Sequence, residues 1–98
     1  MDAEMTYDEF VQLTEPAAEF SPYLTALWRE RHGDWNAAHE IVQDIETREA
    51  AVIHAYLHRR EGDVSNAKYW YGQAGRRADL ALPLNEEWER LAHEFLSL

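Results

Sequence analysis

Three histidines have spacings that could place them around one metal ion. His54 and His58 are four residues apart, so a helix would bring both side chains to one face with about 5–6 Å between their Cβ atoms. Two imidazoles at this spacing can share a zinc ion. His39, on the preceding helix of an antiparallel pair, could supply a third nitrogen, and Glu61 could join them. A fourth position would then hold a water whose pKa the metal lowers, as in catalytic zinc sites.

Besides some other binding role, two interpretations of these histidines stay open. One is a metal-dependent or histidine-assisted enzyme centred on His54 and His58, with His39 as the third ligand and zinc as the cofactor. The other is packing between helices, in which the imidazoles hydrogen-bond to a carboxylate or a carbonyl group. The sequence lacks the His-Glu-x-x-His motif of zinc peptidases, because Ala55 follows His54 and alanine cannot act as a base. Nothing else in the sequence identifies an enzyme.

Aromatic and arginine side chains indicate a different function. Trp35, Tyr56 and Tyr69, together with Arg59 and Arg60, have the composition of an interaction surface. Tyr69 begins a run of three aromatic residues that cannot all face inward, because consecutive helical residues are about 100° apart. We therefore predict a small binding or scaffold module that recognises a protein or peptide partner, which could be a second copy of this chain. The alternative is that single aromatics cover a small core.

Composition limits the class of protein. The chain has 98 residues and a formal net charge of −10, which predicts one domain over 1–98 and opposes binding to nucleic acid or to an anionic membrane. The absence of cysteine excludes disulfides and thiolate metal sites. The acidic first ten residues do not resemble a signal peptide, and no apolar run approaches the ~20 residues that span a bilayer. We expect a cytoplasmic protein.

Two stretches of the chain repeat one plan. Placing Gly33 on Gly62 also places Asp34 on Asp63, at an offset of 29 residues. The same offset aligns three further pairs: Ala26 with Ala55, Arg31 with Arg60, and Ala38 with Ala67. Glycine supplies the left-handed conformation that ends a helix, and aspartate caps the next one. The repeat predicts two helix–turn–helix units.

The flanking segments also have helical patterns. The two hairpin units are predicted at about 22–46 and 48–76, with capping helices at about 6–14 and 85–97. Asn85 is predicted to cap the last helix. No segment alternates between apolar and polar residues as a strand would. The sequence therefore predicts an all-α fold of five or six helices in antiparallel hairpins.

The small residues beside the turns carry a resemblance to a known family. Ala26, Ala38, Ala55 and Ala67 flank the two Gly-Asp turns in a pattern that resembles the tetratricopeptide repeat. The resemblance implies a right-handed stack of hairpins, in which the end helices act as caps because two units fall below the usual minimum of about three. The run from 54 to 71 is also similar to a set of small, mostly bacterial proteins of unknown function. That similarity implies no activity, substrate or catalytic residue.

Overall fold

The computed structural model describes residues 5–98, and all regular structure in that range is helical. It contains six helices: α1 (Tyr7–Gln12), α2 (Pro22–Arg31), α3 (Trp35–Val42), α4 (Arg48–Arg60), α5 (Val64–Gln73) and α6 (Leu84–Leu96). The predicted all-α fold is confirmed. Residues 1–4 of the expected domain lie outside the described range. Within residues 5–98, no helix has the length and apolar character needed to cross a membrane.

Five of the six helices in the described range begin at a side-chain cap, including the predicted caps Asp34 and Asp63. Each capping oxygen accepts a hydrogen bond from the backbone N–H three residues on, which satisfies one of the free donors at a helix start. The residues that do this are Thr6, Ser21, Asp34, Thr47 and Asp63. The predicted cap at Asn85 is wrong, because α6 begins at Leu84 and Pro83 occupies the cap position. Proline has no side-chain acceptor, so this helix has no side-chain cap.

The two predicted hairpins form around the two Gly-Asp turns. Gly33 has a φ of 85° and Gly62 a φ of 91°, the left-handed conformation that ends a helix and that glycine adopts without a steric penalty. α2 packs along α3, and α4 packs along α5. The four alanines of the repeat (Ala26, Ala38, Ala55 and Ala67) are fully buried. Their small side chains allow the helix backbones to approach closely.

α4 is the central helix of the molecule. Every residue from 50 to 58 is buried, and the helix contacts α2, α3, α5 and α6. α6 closes the core from the other side with Trp88, whose indole N–H donates to the carbonyl of Leu27 at 3.0 Å. Because α4 is covered on several sides, the side chains of residues 50–58 meet other helices rather than solvent. This arrangement brings two of its histidines against α3.

Candidate metal centre

The three histidines singled out in the sequence converge where α3 meets α4. His39 lies on α3, while His54 and His58 lie one turn apart on α4. The Nε2 atoms of His39 and His54 are 3.0 Å apart, and one ring nitrogen from each of the three lies within 4.8 Å of the others. His54 is 5% exposed and His58 7% exposed, whereas His39 is half-buried. The hairpin junction thus places three imidazoles in one small volume.

Two tryptophans enclose this cluster. The Trp35 ring stacks on His39 with 4.9 Å between ring centroids, and the Trp70 ring stacks on His54 at 4.1 Å. The indole N–H of Trp35 donates to the carbonyl of Leu57 at 2.7 Å, which ties α3 to α4. The indole rings limit contact between the imidazoles and water, and they restrict ring rotation. The cluster is therefore partly desolvated and well oriented.

Burial keeps two of the imidazoles neutral. Desolvation, reinforced by the neighbouring His39 and His58, lowers the pKa of His54 from 6.5 to about 4. Desolvation also lowers the pKa of His39, with a further contribution from His58. A neutral imidazole has a free lone pair on one ring nitrogen, and metal ions bind the deprotonated form. At neutral pH these two side chains are already in the form that a metal ion requires.

The donor set fits a first-row transition ion. Zinc binds histidine nitrogen at about 2.0–2.1 Å, so its ligand nitrogens lie about 3.3 Å apart in a tetrahedral site. The separations found here begin at 3.0 Å and stay within 4.8 Å, a range that includes this value. Three histidines with a fourth position for water form a set that zinc accepts, and imidazole also suits copper and nickel.

Glu61 lies at the edge of the cluster. Its Oε2 atom is 2.7 Å from the Nδ1 atom of His58, so it contacts the ring nitrogen through a hydrogen bond. The sequence indicated Glu61 as a further ligand. In the structure its carboxylate is hydrogen-bonded to a His58 ring nitrogen, and ligand atoms of His58, Glu61 and Asp63 lie within 4.8 Å of one another.

The predicted interaction surface is only partly assembled. Tyr69 is 57% exposed and Trp35 is half-buried. Tyr56, by contrast, is 1% exposed, and its hydroxyl donates to Glu30. The expectation that Tyr56 lines an exposed face is wrong, because α4 is the central helix and α2 covers that side of it.

The two arginines of that surface are engaged in ion pairs. Arg59 has a side chain only 9% exposed and donates to the Glu87 carboxylate of α6 at 2.7 Å. It also donates to the backbone carbonyls of Leu80 and Leu82. Arg60 is more exposed and pairs with Glu30 at 3.3 Å. The prediction that Arg59 edges a binding face is therefore corrected, since it ties α4 to the segment before α6.

Sequence reasoning missed two features of this region. One is the stacking of Trp70 on His54, which joins residues sixteen positions apart on different helices. The other is the buried acceptor Glu87, which receives hydrogen bonds from both Arg59 and Tyr71. No local pattern signals either contact, because both depend on how α5 and α6 pack against α4.

Comparisons with known proteins give no relative from which a function could be inferred. No family model, curated protein or solved structure matches the chain. The tetratricopeptide-like relationship and the expectation of a protein or peptide partner stay predictions. No family is therefore assigned to the chain by similarity. Its candidate site is the three-histidine cluster between α3 and α4.

Proposed function

We propose that this protein binds one divalent transition-metal ion of the zinc class through His39, His54 and His58. The observation that carries the proposal is the convergence of three imidazole nitrogens within 4.8 Å in a partly desolvated site. Burial keeps His39 and His54 neutral, and each neutral imidazole has a lone pair that a metal ion can accept. One metal ion would accept a lone pair from each of the three imidazoles, whereas a hydrogen bond between two rings engages the lone pair of only one of them.

The position of the cluster indicates what a bound ion would do. His39 belongs to the first hairpin, and His54 and His58 belong to the second. An ion held by all three would link the two hairpins across their junction and stabilise the folded state by its binding free energy. The proposed function is a metal-binding domain in which the ion secures the contact between α3 and α4.

Catalysis is not part of this proposal. A zinc enzyme needs a space where the substrate reaches the metal-bound water. The groove beside Trp70 is lined by Tyr69 and by residues between 43 and 51 and at 73, and none of the three histidines lines it. Ion binding is the function that the side-chain geometry itself supports.

Calorimetric titration tests the proposal. Tag-free protein is stripped with a chelator and titrated with zinc chloride, and we expect one ion per chain. The thermal midpoint should rise with zinc, since an ion at one hundred times its Kd adds about 2.7 kcal/mol to the free energy of unfolding. His54→Gln should remove this binding. His93→Gln, which changes an exposed histidine stacked on Tyr7, is the matched control and should leave it intact.

Two results would contradict the proposal. One is folded, tag-free protein that takes up no zinc, cobalt or copper at micromolar concentrations. The other is unchanged zinc affinity in both His39→Gln and His54→Gln, which would place any bound ion elsewhere. Circular dichroism of each variant shows whether the helices are retained.

A further inference from the structure

We propose that Glu61 is a positioning residue for the metal centre, acting through His58. This inference rests on the proposed function and adds a residue that does not itself ligate the ion. Its carboxylate Oε2 lies 2.7 Å from Nδ1 of His58, which makes Nδ1–H the donor. The lone pair of His58 is thereby left on Nε2, the nitrogen available to an ion.

The assignment of the proton follows from the chemistry of the two groups. An ionised carboxylate only accepts hydrogen bonds, and a neutral imidazole has a single N–H. When His58 is neutral, its one ring proton must therefore lie on the nitrogen that faces Glu61, so the carboxylate selects the tautomer of His58. Histidines that bind metals usually donate their second nitrogen to a carboxylate or carbonyl, which also raises the basicity of the ligating nitrogen.

The turn after α4 holds Glu61 in this position. Glu61 ends α4, and its backbone N–H donates to the carbonyl of Leu57 at 3.2 Å. The chain then reverses at Gly62, and the N–H of Asp63 donates to the carbonyl of His58 at 2.9 Å. The backbone on either side of Glu61 is thus hydrogen-bonded to α4 residues next to or at His58. A side chain at this position reaches back three residues to the His58 ring.

Glu61 is distinct from the other acidic residues near the site. Within residues 5–98, it is the one carboxylate that hydrogen-bonds to any of the three imidazoles. Asp63 also lies close to His58, but its carboxylate accepts from the backbone N–H of Asn66 and so caps α5. The first turn carries His32 at the position equivalent to Glu61. The carboxylate–imidazole pair therefore belongs to the second turn and to the metal centre beside it.

The test measures zinc affinity and the His58 tautomer together. Glu61→Ala should weaken zinc binding about 10–100-fold, and Glu61→Gln, whose amide oxygen still accepts from Nδ1–H, should fall between alanine and the parent. Nitrogen NMR of the metal-free protein should show the Nδ1–H tautomer of His58 in the parent and a mixture in Glu61→Ala. Glu89→Ala, an exposed carboxylate on α6, is the control and should change neither.

The outcomes separate the two proposals. If the parent binds no zinc, both proposals fail. If zinc binds through the three histidines and Glu61→Ala matches the Glu89→Ala control, only the role of Glu61 is overturned. A loss of affinity in Glu61→Ala with the His58 tautomer unchanged would also overturn it, because the residue would then act by some other route than orienting the proton.

Discussion

The turn at Gly33–Asp34 and the turn at Gly62–Asp63 have nearly the same backbone. The glycine φ angles are 85° and 91°, and in both turns the aspartate N–H donates at 2.9 Å to the carbonyl five residues earlier. Each aspartate also caps the helix that follows. The two turns nevertheless differ completely in the chemistry of the side chains they hold.

The difference arises at two positions before each glycine. In the first turn these are Arg29 and His32, and His32 contacts the carbonyl of Trp28 at 2.9 Å and stacks on the Trp28 ring. In the second turn they are His58 and Glu61, which hydrogen-bond to each other. A turn backbone therefore provides a scaffold, and the residues placed on it determine whether it contributes to a site.

The largest expected effect is a loss of stability of the metal-free protein in acid, with His54 of the second unit as its main source. The His54 pKa is about 4 when folded, against 6.5 ordinarily. As the pH falls below 6.5, His54 becomes protonated in the unfolded chain but stays neutral in the folded state. The free energy of unfolding therefore decreases, and it levels off below about pH 4. Thermal midpoints measured across this range should show the decline.

Two variants test whether His54 is the source of this pH dependence. His54→Gln should decline less over the same range, because it no longer carries the buried titrating group. His32→Gln, at the exposed first turn, should decline as the parent does. Parallel pH profiles in the parent and in His54→Gln would show that burial of this imidazole has no role in acid sensitivity.

The second largest effect comes from overpacking the two hairpins. Ala26→Leu and Ala55→Leu add the same volume at equivalent, fully buried positions, and such insertions cost about 1–3 kcal/mol. Ala55 should cost more, because α4 packs against more helices than α2 does. Urea unfolding midpoints measure both, with exposed Ala18→Leu as the control. A smaller loss of stability in Ala55→Leu than in Ala26→Leu would refute the central position of α4.

A third prediction concerns what the two turns share. Gly33→Ala and Gly62→Ala should each lower the free energy of unfolding by about 1–2 kcal/mol, since a β-carbon disfavours the left-handed conformation. An added Cβ would meet nothing within 4 Å at either position, so the cost is conformational and should be similar in both turns. Gly72→Ala, inside α5, should instead stabilise by about 0.5–1 kcal/mol. Unequal losses at the two turns would show that one is held by more than its backbone.

The smallest effect is expected at Glu30, which occupies the position in α2 equivalent to Arg59 in α4. Burial raises the pKa of Glu30 above 4.5, although Arg60 and Tyr56 partly oppose this. The folded state therefore binds the proton more tightly, and the charged carboxylate is a cost at neutral pH. Glu30→Gln should raise the free energy of unfolding by less than about 1 kcal/mol at neutral pH.

The gain from Glu30→Gln should shrink as the pH falls towards 4.5, because the folded parent carboxylate, whose pKa lies above 4.5, becomes neutral in that range. Chemical unfolding at neutral and acidic pH measures both values. A destabilised variant at neutral pH would show that the ion pair with Arg60 outweighs the desolvation of Glu30.

Much of the fold could be predicted because its signals are local. Thr6 and Glu9 satisfy each other across three residues, and Gly62 ends a helix through its own backbone preference. The candidate site was predictable in part, since the spacing of His54 and His58 alone places them on one face. The predictions that Tyr56 and Arg59 line an exposed face were wrong, because no local pattern shows that α4 is covered by four other helices.

Local signals in the sequence are enough to place the starts of five of the six helices within residues 5–98, the two turns, and the two histidines that share a helix face. These properties depend on hydrogen bonds and backbone preferences within about four residues. It takes the packing of whole helices to bring His39 to His54, to stack Trp70 on the same imidazole, and to enclose α4. Those contacts join residues fifteen or more positions apart, and their formation depends on how whole helices pack.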